Sequence, residues 1–523
     1  MSKLLITKPF DQLLREAKEE GQQGLKRVLG PLNLIALGIG AVIGAGIFII
    51  TGSAAAQFAG PGIALSFVLT GLGCAFAGLC YAELAAMIPI SGSAYTYAYA
   101  SMGELIAWII GWDLVLEYAF SAATVASGWS ATVVSLLQDY GIHWPPRLSQ
   151  TPGIELYFFQ GRWESLTTIL PALKTAGISA DTLPHVTAIF NLPAFLAICL
   201  VTAILIVGVR ESANVNVVVV FIKVATVVIF IVIAGAFLWK NPQIASANWH
   251  PFIPENTGRF GEFGWSGVAR GAASIFFAYI GFDAVSTAAQ EARNPQRDMP
   301  IGLLGSLIIC TILYIAVSTV LTGVVHYSQL NVAAPIALAI DVTGVKWGSL
   351  LVKAGTIAGT STVMMMTLMG QSRIFFVMSK DGMLPPWVGA VHPRFRTPWI
   401  SSIVVGLFIA VFAGLLPISI LGDLVNIGTL FAFAIVCVGV WILRKRRPDL
   451  ERPFRTPMVP VVPLLGIVIS LFLMFTLPGD TWLRLIVWLL IGFVIYFSYS
   501  RKHSRARLAM DSDPEKKMKT SFN

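Results

Sequence analysis

The sequence predicts an all-α polytopic membrane protein. Of its 523 residues, 56% are hydrophobic and only 12% are charged. Many apolar runs exceed the ~20 residues that a helix needs to cross a bilayer. These runs lack the period-two alternation of transmembrane barrel strands, so we expect spanning helices.

The hydropathy pattern divides the chain into twelve predicted spanning segments. They fall near 32–59, 62–88, 104–137, 188–209, 214–239, 268–291, 301–326, 347–378, 399–416, 420–444, 458–478 and 482–500. The connection at 139–187 is long for a membrane protein and has a possible short helix near 164–176.

Lysine and arginine are distributed asymmetrically between the two predicted sides. With the N-terminus inside, 26 of the 36 Lys and Arg fall on the cytoplasmic side, nine outside, and Lys223 lies within the membrane. The positive-inside rule then predicts that both termini, 1–31 and 501–523, are cytoplasmic. Residues 10–17 fit either a short interfacial helix or part of a solvated tail, and 501–523 is predicted to be solvated near anionic headgroups.

The same charge distribution accounts for the net charge of +9 without a nucleic-acid partner. The five cysteines lie in apolar segments and the six histidines are scattered, so we predict neither disulfides, nor a metal site, nor a cofactor. The predicted spans contain no cluster of His, Ser or Cys of the kind found in enzyme active sites, so the sequence does not predict an enzyme. A channel would need a ring of like groups, usually from several subunits.

The first spanning segment contains small residues in its middle, at Gly40, Gly44, Ala45 and Gly46. Glycine costs about 1 kcal/mol relative to alanine in a helix interior. A helix that breaks in hydrocarbon must have its freed backbone groups satisfied by protein, water or ligand, so a break here indicates a binding site made of backbone groups. The alternative is that the small residues let two helices pack closely.

The sixth segment has a matching interruption at Ala278 and Gly281, followed by Asp283. The two segments correspond if 32–239 and 268–444 are five-helix units of opposite orientation, with 458–500 as two additional helices. Paired broken helices are typical of the midplane site of a transporter. Half-helix N-termini attract a carboxylate and C-terminal carbonyls attract an ammonium, which together suit an α-amino acid.

Three motifs carry a resemblance to a known family. They are GAGIF at 44–48, GFD at 281–283 with EARNPQRDMP at 291–300, and RIFFVMSKDGMLP at 373–385. On these motifs the sequence resembles the amino acid–polyamine–organocation transporter superfamily, most closely its bacterial cationic amino acid transporter branch. The resemblance covers about 30–500, and the 139–187 loop is an insertion outside the family pattern.

The resemblance implies a LeuT-type fold, with a five-plus-five inverted repeat, two further helices, and helices one and six broken at the midplane. It implies that the N–H groups of Ala45 and Gly46 bind a substrate carboxylate. The carbonyls of Val42, Phe277 and Ile280 would bind the ammonium, with Phe277 as an aromatic lid. The predicted substrate-binding residues are Val42, Ile43, Gly44, Ala45, Gly46, Phe277, Ala278, Ile280, Glu117 and Asp283.

Lys223 is predicted to lie near the midplane, about ten residues and so roughly 14 Å into the fifth segment. An intramembrane ionisable residue indicates function by default. A lysine that loses and regains its proton is a proton carrier. In the family, a lysine here resembles an amine at the position that sodium takes in related transporters, where it could tie segment five to segments one and eight. The alternative is a permanently charged brace.

Glu117 and Asp283 could each sense protons or face the substrate side chain. We interpret Asp113 as structural and expect Glu83 to pair at the cytoplasmic surface. Met364–Met366 fit either a side-chain pocket or ordinary packing.

The predicted function is import of an L-α-amino acid, cationic or small and neutral, together with a proton by alternating access. The alternative is an amino acid exchanger without net proton coupling. The predicted partners are the substrate, the proton and the lipid bilayer. A small membrane subunit and the oligomeric state are left open.

Overall fold

The computed structural model describes residues 6–8, 29–88, 90, 92–207, 213–332, 334–395 and 397–512. This part of the chain is predominantly helical, with one three-stranded sheet within the 139–187 insertion. The interfacial helix considered for residues 10–17 lies outside the described residues.

The helices of the first half pass through the predicted segments one to five. They are α1 (Pro31–Val42), α2 (turns Gly46–Ile50, Thr51–Ala54 and Ala55–Ala59), α3 (Ile63–Met87), α4 (Ser93–Ser101), α5 (Glu104–Asp139), α6 (Leu166–Ala176), α7 (Leu192–Val207), α8 (Ala213–Lys240) and α9 (Pro242–Asn248).

The second half continues with helices in segments six to twelve. They are α10 (Gly264–Ile275), α11 (Pro295–Val324), α12 (Pro335–Thr343), α13 (Lys346–Lys380), α14 (Trp399–Leu415), α15 (Ile418–Arg446), α16 (Val461–Thr476), α17 (Gly479–Ile495) and α18 (Arg505–Ser512). Short 3₁₀ turns at Phe276–Tyr279 and Asp283–Glu291 follow α10.

Within the described residues, seven helices are long and apolar enough to cross a membrane. They are Gly46–Met87, Glu104–Asp139, Val218–Lys240, Gly264–Ala289, Pro295–Val324, Ile418–Arg446 and Gly479–His503. Four shorter apolar helices accompany them: α1, α7, α14 and α16. The polytopic helical class is therefore confirmed, while the count of twelve crossings stays a prediction.

The insertion is a small module with its own apolar core. Strands β1 (Glu155–Phe159) and β2 (Arg162–Ser165) form a hairpin, and β3 (His185–Thr187) pairs with β1 on the other side. Gln160 and Gly161 at the turn have φ of 48° and 81°, the positive values that a tight two-residue hairpin requires. The predicted helix near 164–176 is present as α6, whereas the strands were not predicted.

A carboxylate connects this insertion to the helix bundle. Asp139, at the end of α5, accepts hydrogen bonds from Arg162 of β2 and from Lys353 of α13. The Lys353 side chain is only 5% exposed. The insertion is thereby fixed over the ends of α5 and α13.

Both ends of the described chain lie at the same end of the bundle. Lys8 donates to Asp381 at 2.8 Å, and the backbone N–H of Arg505 donates to the carbonyl of Asp381 at 3.0 Å. The even number of crossings stays a prediction. Assignment of that end to the cytoplasm stays a prediction.

Glu83 contacts two arginines at the end of the bundle where the chain ends meet. Glu83 accepts two hydrogen bonds from Arg444 at 2.8 Å and lies 3.2 Å from Arg452, so Glu83 is paired as predicted, although its side chain is buried; the cytoplasmic location of the pair stays a prediction.

Two residues of the C-terminal tail, Ser504 and Arg507, contact the helix bundle, whereas the sequence suggests a solvated tail. Buried Glu104 at the start of α5 accepts from Tyr496 at 2.8 Å, Ser504 at 2.6 Å and Arg507 at 2.9 Å. A buried carboxylate needs such partners. Ser504 and Arg507 therefore stabilise Glu104, while Arg501, Lys502 and His503 are exposed.

Candidate functional site

The first helix interruption occurs within the glycine-rich stretch. Helix α1 ends at Val42, and Ile43 is extended with φ −73° and ψ 101°. Helix α2 begins with a π-helical turn at Gly46, whose carbonyl accepts from the Thr51 hydroxyl at 3.0 Å. Backbone groups near Val42–Gly46 are therefore released from regular helical pairing.

The second interruption follows α10. The chain makes a 3₁₀ turn at Phe276–Tyr279, extends at Ile280 (φ −61°, ψ 135°), and passes through Gly281 with φ 110°. Only glycine adopts that φ without strain. Asn426 of α15 donates to the carbonyl of Ser274 at 3.1 Å and so satisfies one backbone group next to the break.

The two interruptions touch each other. A Cβ atom on Gly46 would overlap the Cα of Ala278, and one on Gly281 would lie 2.9 Å from the carbonyl oxygen of Ala41. The predicted residues of both breaks, from Val42 to Gly46 and from Phe277 to Ile280, are all buried. The structure thus brings the two predicted segments together in backbone contact.

Two of the three carbonyls that the resemblance assigns to the ammonium already accept a hydrogen bond. Val42 accepts from the Tyr314 hydroxyl of α11 at 2.9 Å, and Phe277 accepts from the N–H of Ile280 at 3.3 Å. A carbonyl oxygen has two lone pairs, so each retains acceptor capacity. These contacts fix the direction of the carbonyls.

Lys223 of α8 lies beside the first break. Its ammonium donates to the carbonyl of Gly40 at 2.7 Å, and the side chain is fully buried. On its other side, a Cβ on Gly359 of α13 would lie 3.5 Å from the Cε of Lys223. The lysine therefore lies between segments one and eight, the two segments that were predicted as its neighbours.

The carboxyl groups of Glu117 and Asp283 are fully buried and close enough to interact electrostatically. Glu117 lies in a π-helical turn of α5, Val115–Ala119, and π-bulges are frequent at functional sites. The Tyr118 hydroxyl donates to Asp283 at 2.7 Å. Among described residues, no hydrogen bond reaches either oxygen of Glu117 or the Oδ1 of Asp283.

Sequence reasoning missed several residues of this site. Tyr118, Tyr314 and Asn426 come from three different helices, and nothing in their local sequence separates them from ordinary core residues. A readable signal did exist in α13, where Gly355 and Gly359 have small-xxx-small spacing. They pack against Thr226 and Lys223 of α8. Asp113 is buried without a hydrogen-bond partner among the described residues, so its structural role stays a prediction.

Touching helix breaks beside a buried lysine, in a bundle of apolar helices, are features of a membrane transport protein. Residues 29–497 match the amino acid permease family. The chain belongs to this family, within the amino acid–polyamine–organocation superfamily. Its members in this comparison are permeases and transporters, not enzymes.

Three relatives cover most of the chain. It is 43% identical to the methylthioribose transporter of Bacillus subtilis (strain 168), over 96% of this chain and 99% of that protein. It is 43% identical to the branched-chain amino acid permease of the same organism, over 94% and 96%. It is 34% identical to the vacuolar cationic amino acid transporter 4 of Arabidopsis thaliana, over 86% and 68%. The cationic amino acid transporters are therefore the more distant of these relatives.

Proposed function

We propose that the protein imports a neutral L-α-amino acid with an aliphatic side chain, together with a proton, by alternating access. The observation that carries the proposal is the backbone contact between the two breaks, with the Lys223 ammonium bound at Gly40 three residues before the first break. Such a site lies between two repeats that can rock against each other.

The polar ends of the substrate match the electrostatics of the breaks. The N–H groups of Ala45 and Gly46 lie at the start of a half-helix, where the partial charge is positive and suits a carboxylate. The carbonyl oxygens of Val42, Phe277 and Ile280 carry partial negative charge, which suits the ammonium. The buried Phe277 side chain would then cover the bound amino acid.

The side-chain preference follows from the wall of the site and from the relatives. A Cβ on Gly44 would lie 3.0 Å from a methyl group of Val363 on α13, and the neighbouring Met364 is buried. These apolar groups suit an aliphatic side chain. A branched-chain amino acid permease at 43% identity supports the same class more strongly than a cationic transporter at 34%.

Two groups support coupling to a proton. A charged Lys223 ties α8 to the last turn of α1, and loss of its proton would weaken that tie and free α1 to move. The carboxyl groups of Glu117 and Asp283 are fully buried, and three of their four oxygens accept no hydrogen bond among the described residues, which makes them the candidate proton-binding groups.

Uptake into proteoliposomes tests the proposal. Labelled leucine and arginine would be supplied separately, with and without an inward proton gradient, to wild type, Lys223→Met and Lys240→Met. Lys240 is the matched control because it is an exposed lysine on the same helix. We expect gradient-driven accumulation of leucine in wild type and Lys240→Met, and its loss in Lys223→Met with leucine binding retained.

Other outcomes would contradict individual parts of the proposed function. Preferential accumulation of arginine would refute the aliphatic substrate class. Uptake that ignores the gradient but rises with amino acid loaded inside would identify an exchanger, and Lys223 would then be a structural brace.

A further inference from the structure

A groove of about 650 Å³ opens on the surface of the bundle at the start of α11. Its residues include Asn294, Arg297, Ile301 and Leu304 from α11 and the preceding turn, with Phe454 from the connection between α15 and α16. In the predicted topology both walls lie at the cytoplasmic edge of the membrane. None of the residues that line the groove belongs to the two helix breaks.

One face of α11 continues from this groove into the apolar region. Residues 297, 301, 304, 308 and 312 recur at spacings of three and four, so they share one side of the helix. Ile301, Ile308 and Ile312 are exposed by 38%, 58% and 63%. A single helix face thus has a guanidinium at the membrane edge and an exposed aliphatic stripe beyond it.

The length of this face matches one leaflet. The fifteen steps from residue 297 to residue 312 span roughly 22 Å at ~1.5 Å per residue. Half of a hydrocarbon core is about 15 Å, which leaves several Å for a headgroup. Arg297 is the cationic side chain among the residues that line the groove, and it is exposed.

We propose that this groove binds one anionic phospholipid from the cytoplasmic leaflet. The lipid phosphate lies against Arg297, the amide groups of Asn294 and Gln296 contact the headgroup, and an acyl chain follows the aliphatic stripe. The aliphatic stripe favours a lipid over free phosphate, because free phosphate has no acyl chain to pack against the stripe. Basic pockets at the cytoplasmic ends of spanning helices bind such headgroups.

The lipid would contact the helix that supports the first break. Helix α11 packs closely on α1, where a Cβ on Gly302 would lie 2.6 Å from the Cβ of Leu34 and one on Gly305 would lie 3.0 Å from Ile35. The groove is on the outer side of this helix pair. A bound lipid would therefore stabilise α11 against α1 without entering the transport site.

The test uses full-length protein, delipidated in detergent, with binding followed by native mass spectrometry and thermal unfolding. Phosphatidylglycerol is compared with phosphatidylcholine of the same acyl chains for wild type, Arg297→Gln, Arg297→Lys and Arg446→Gln. Arg446 is an exposed arginine at the same end of the bundle and serves as the matched control. Glycerol 3-phosphate supplies a phosphate group without acyl chains.

We expect wild type, Arg446→Gln and Arg297→Lys to prefer phosphatidylglycerol and to be stabilised by it. Arg297→Gln should lose about fivefold in affinity for that lipid while unfolding at the wild-type temperature in phosphatidylcholine. Equal phosphatidylglycerol binding by Arg297→Gln and wild type would overturn the proposal. So would stabilisation by glycerol 3-phosphate alone, or occupation of the groove by a co-purifying single-span protein. None of these measurements requires transport, so they test the lipid site independently of the proposed function.

Discussion

Substitution of Gly46 by alanine tests whether the two helix breaks meet as closely as described. The added methyl group would overlap the Cα of Ala278 and lie 2.5 Å from its Cβ and 2.9 Å from its backbone nitrogen, whereas ordinary contacts begin at 3.4 Å. The neighbour is backbone, so one break must move by about 1 Å. Overpacking of this kind costs roughly 1–3 kcal/mol. If that energy is lost from the substrate complex, affinity falls roughly 5- to 100-fold.

Scintillation proximity binding of labelled leucine to purified protein measures this loss directly. Gly62→Ala is the matched control, since Gly62 lies outside both breaks and its added methyl would meet a side-chain methyl of Val268 at 3.2 Å, which can give way. Ala278→Gly should not rescue Gly46→Ala, because the clash with the Cα of residue 278 remains. Wild-type affinity in Gly46→Ala would refute the close approach of the two breaks.

Three further substitutions have defined outcomes. Glu83→Gln removes the charge of a buried carboxylate that pairs with Arg444 and with buried Arg452, and breaking such a pair costs about 3 kcal/mol or more. The melting temperature in detergent should therefore fall, whereas Asp449→Asn, which breaks an exposed pair, should leave it unchanged. Asp139→Asn should speed limited proteolysis of the insertion without altering that of the helices; an unchanged rate would show that the carboxylate does not hold it. Tyr118→Phe removes a hydrogen bond to a buried carboxylate and should reduce gradient-driven leucine uptake, whereas equal uptake would exclude Tyr118 from the coupling site.

The sequence was most informative where the position of a residue has a single physical explanation. Glycines at 44, 46 and 281 predicted interruptions because glycine weakens helices, and the helices are interrupted there. A lysine in the middle of an apolar run had to find a partner, and Lys223 reaches the carbonyl of Gly40 in the predicted neighbouring segment. Composition alone was enough for the helical membrane class.

The sequence was least informative where a contact joins distant residues of common type. Tyr118 and Asp283 lie 165 residues apart, and a tyrosine in a long apolar run looks like core packing. The polar residues after Arg501 look solvated in the sequence. Ser504 and Arg507 nevertheless donate hydrogen bonds to buried Glu104, a pairing that only the tertiary structure shows. The hairpin of the insertion does have a sequence signal, since two β-prone runs flank Gln160 and Gly161.

The meeting of both chain ends at Asp381 has a consequence for biosynthesis. The chain enters the membrane from its N-terminus, so Lys8 is made early, yet its partner lies 373 residues later and the adjoining Arg505 later still. This part of the structure therefore cannot form until Arg505 has left the ribosome. A nascent chain that ends before Ser504 would also leave buried Glu104 without Ser504 and Arg507, two of its hydrogen-bond donors. Such a chain would hold a buried carboxylate that lacks these partners and would remain exposed to proteolysis.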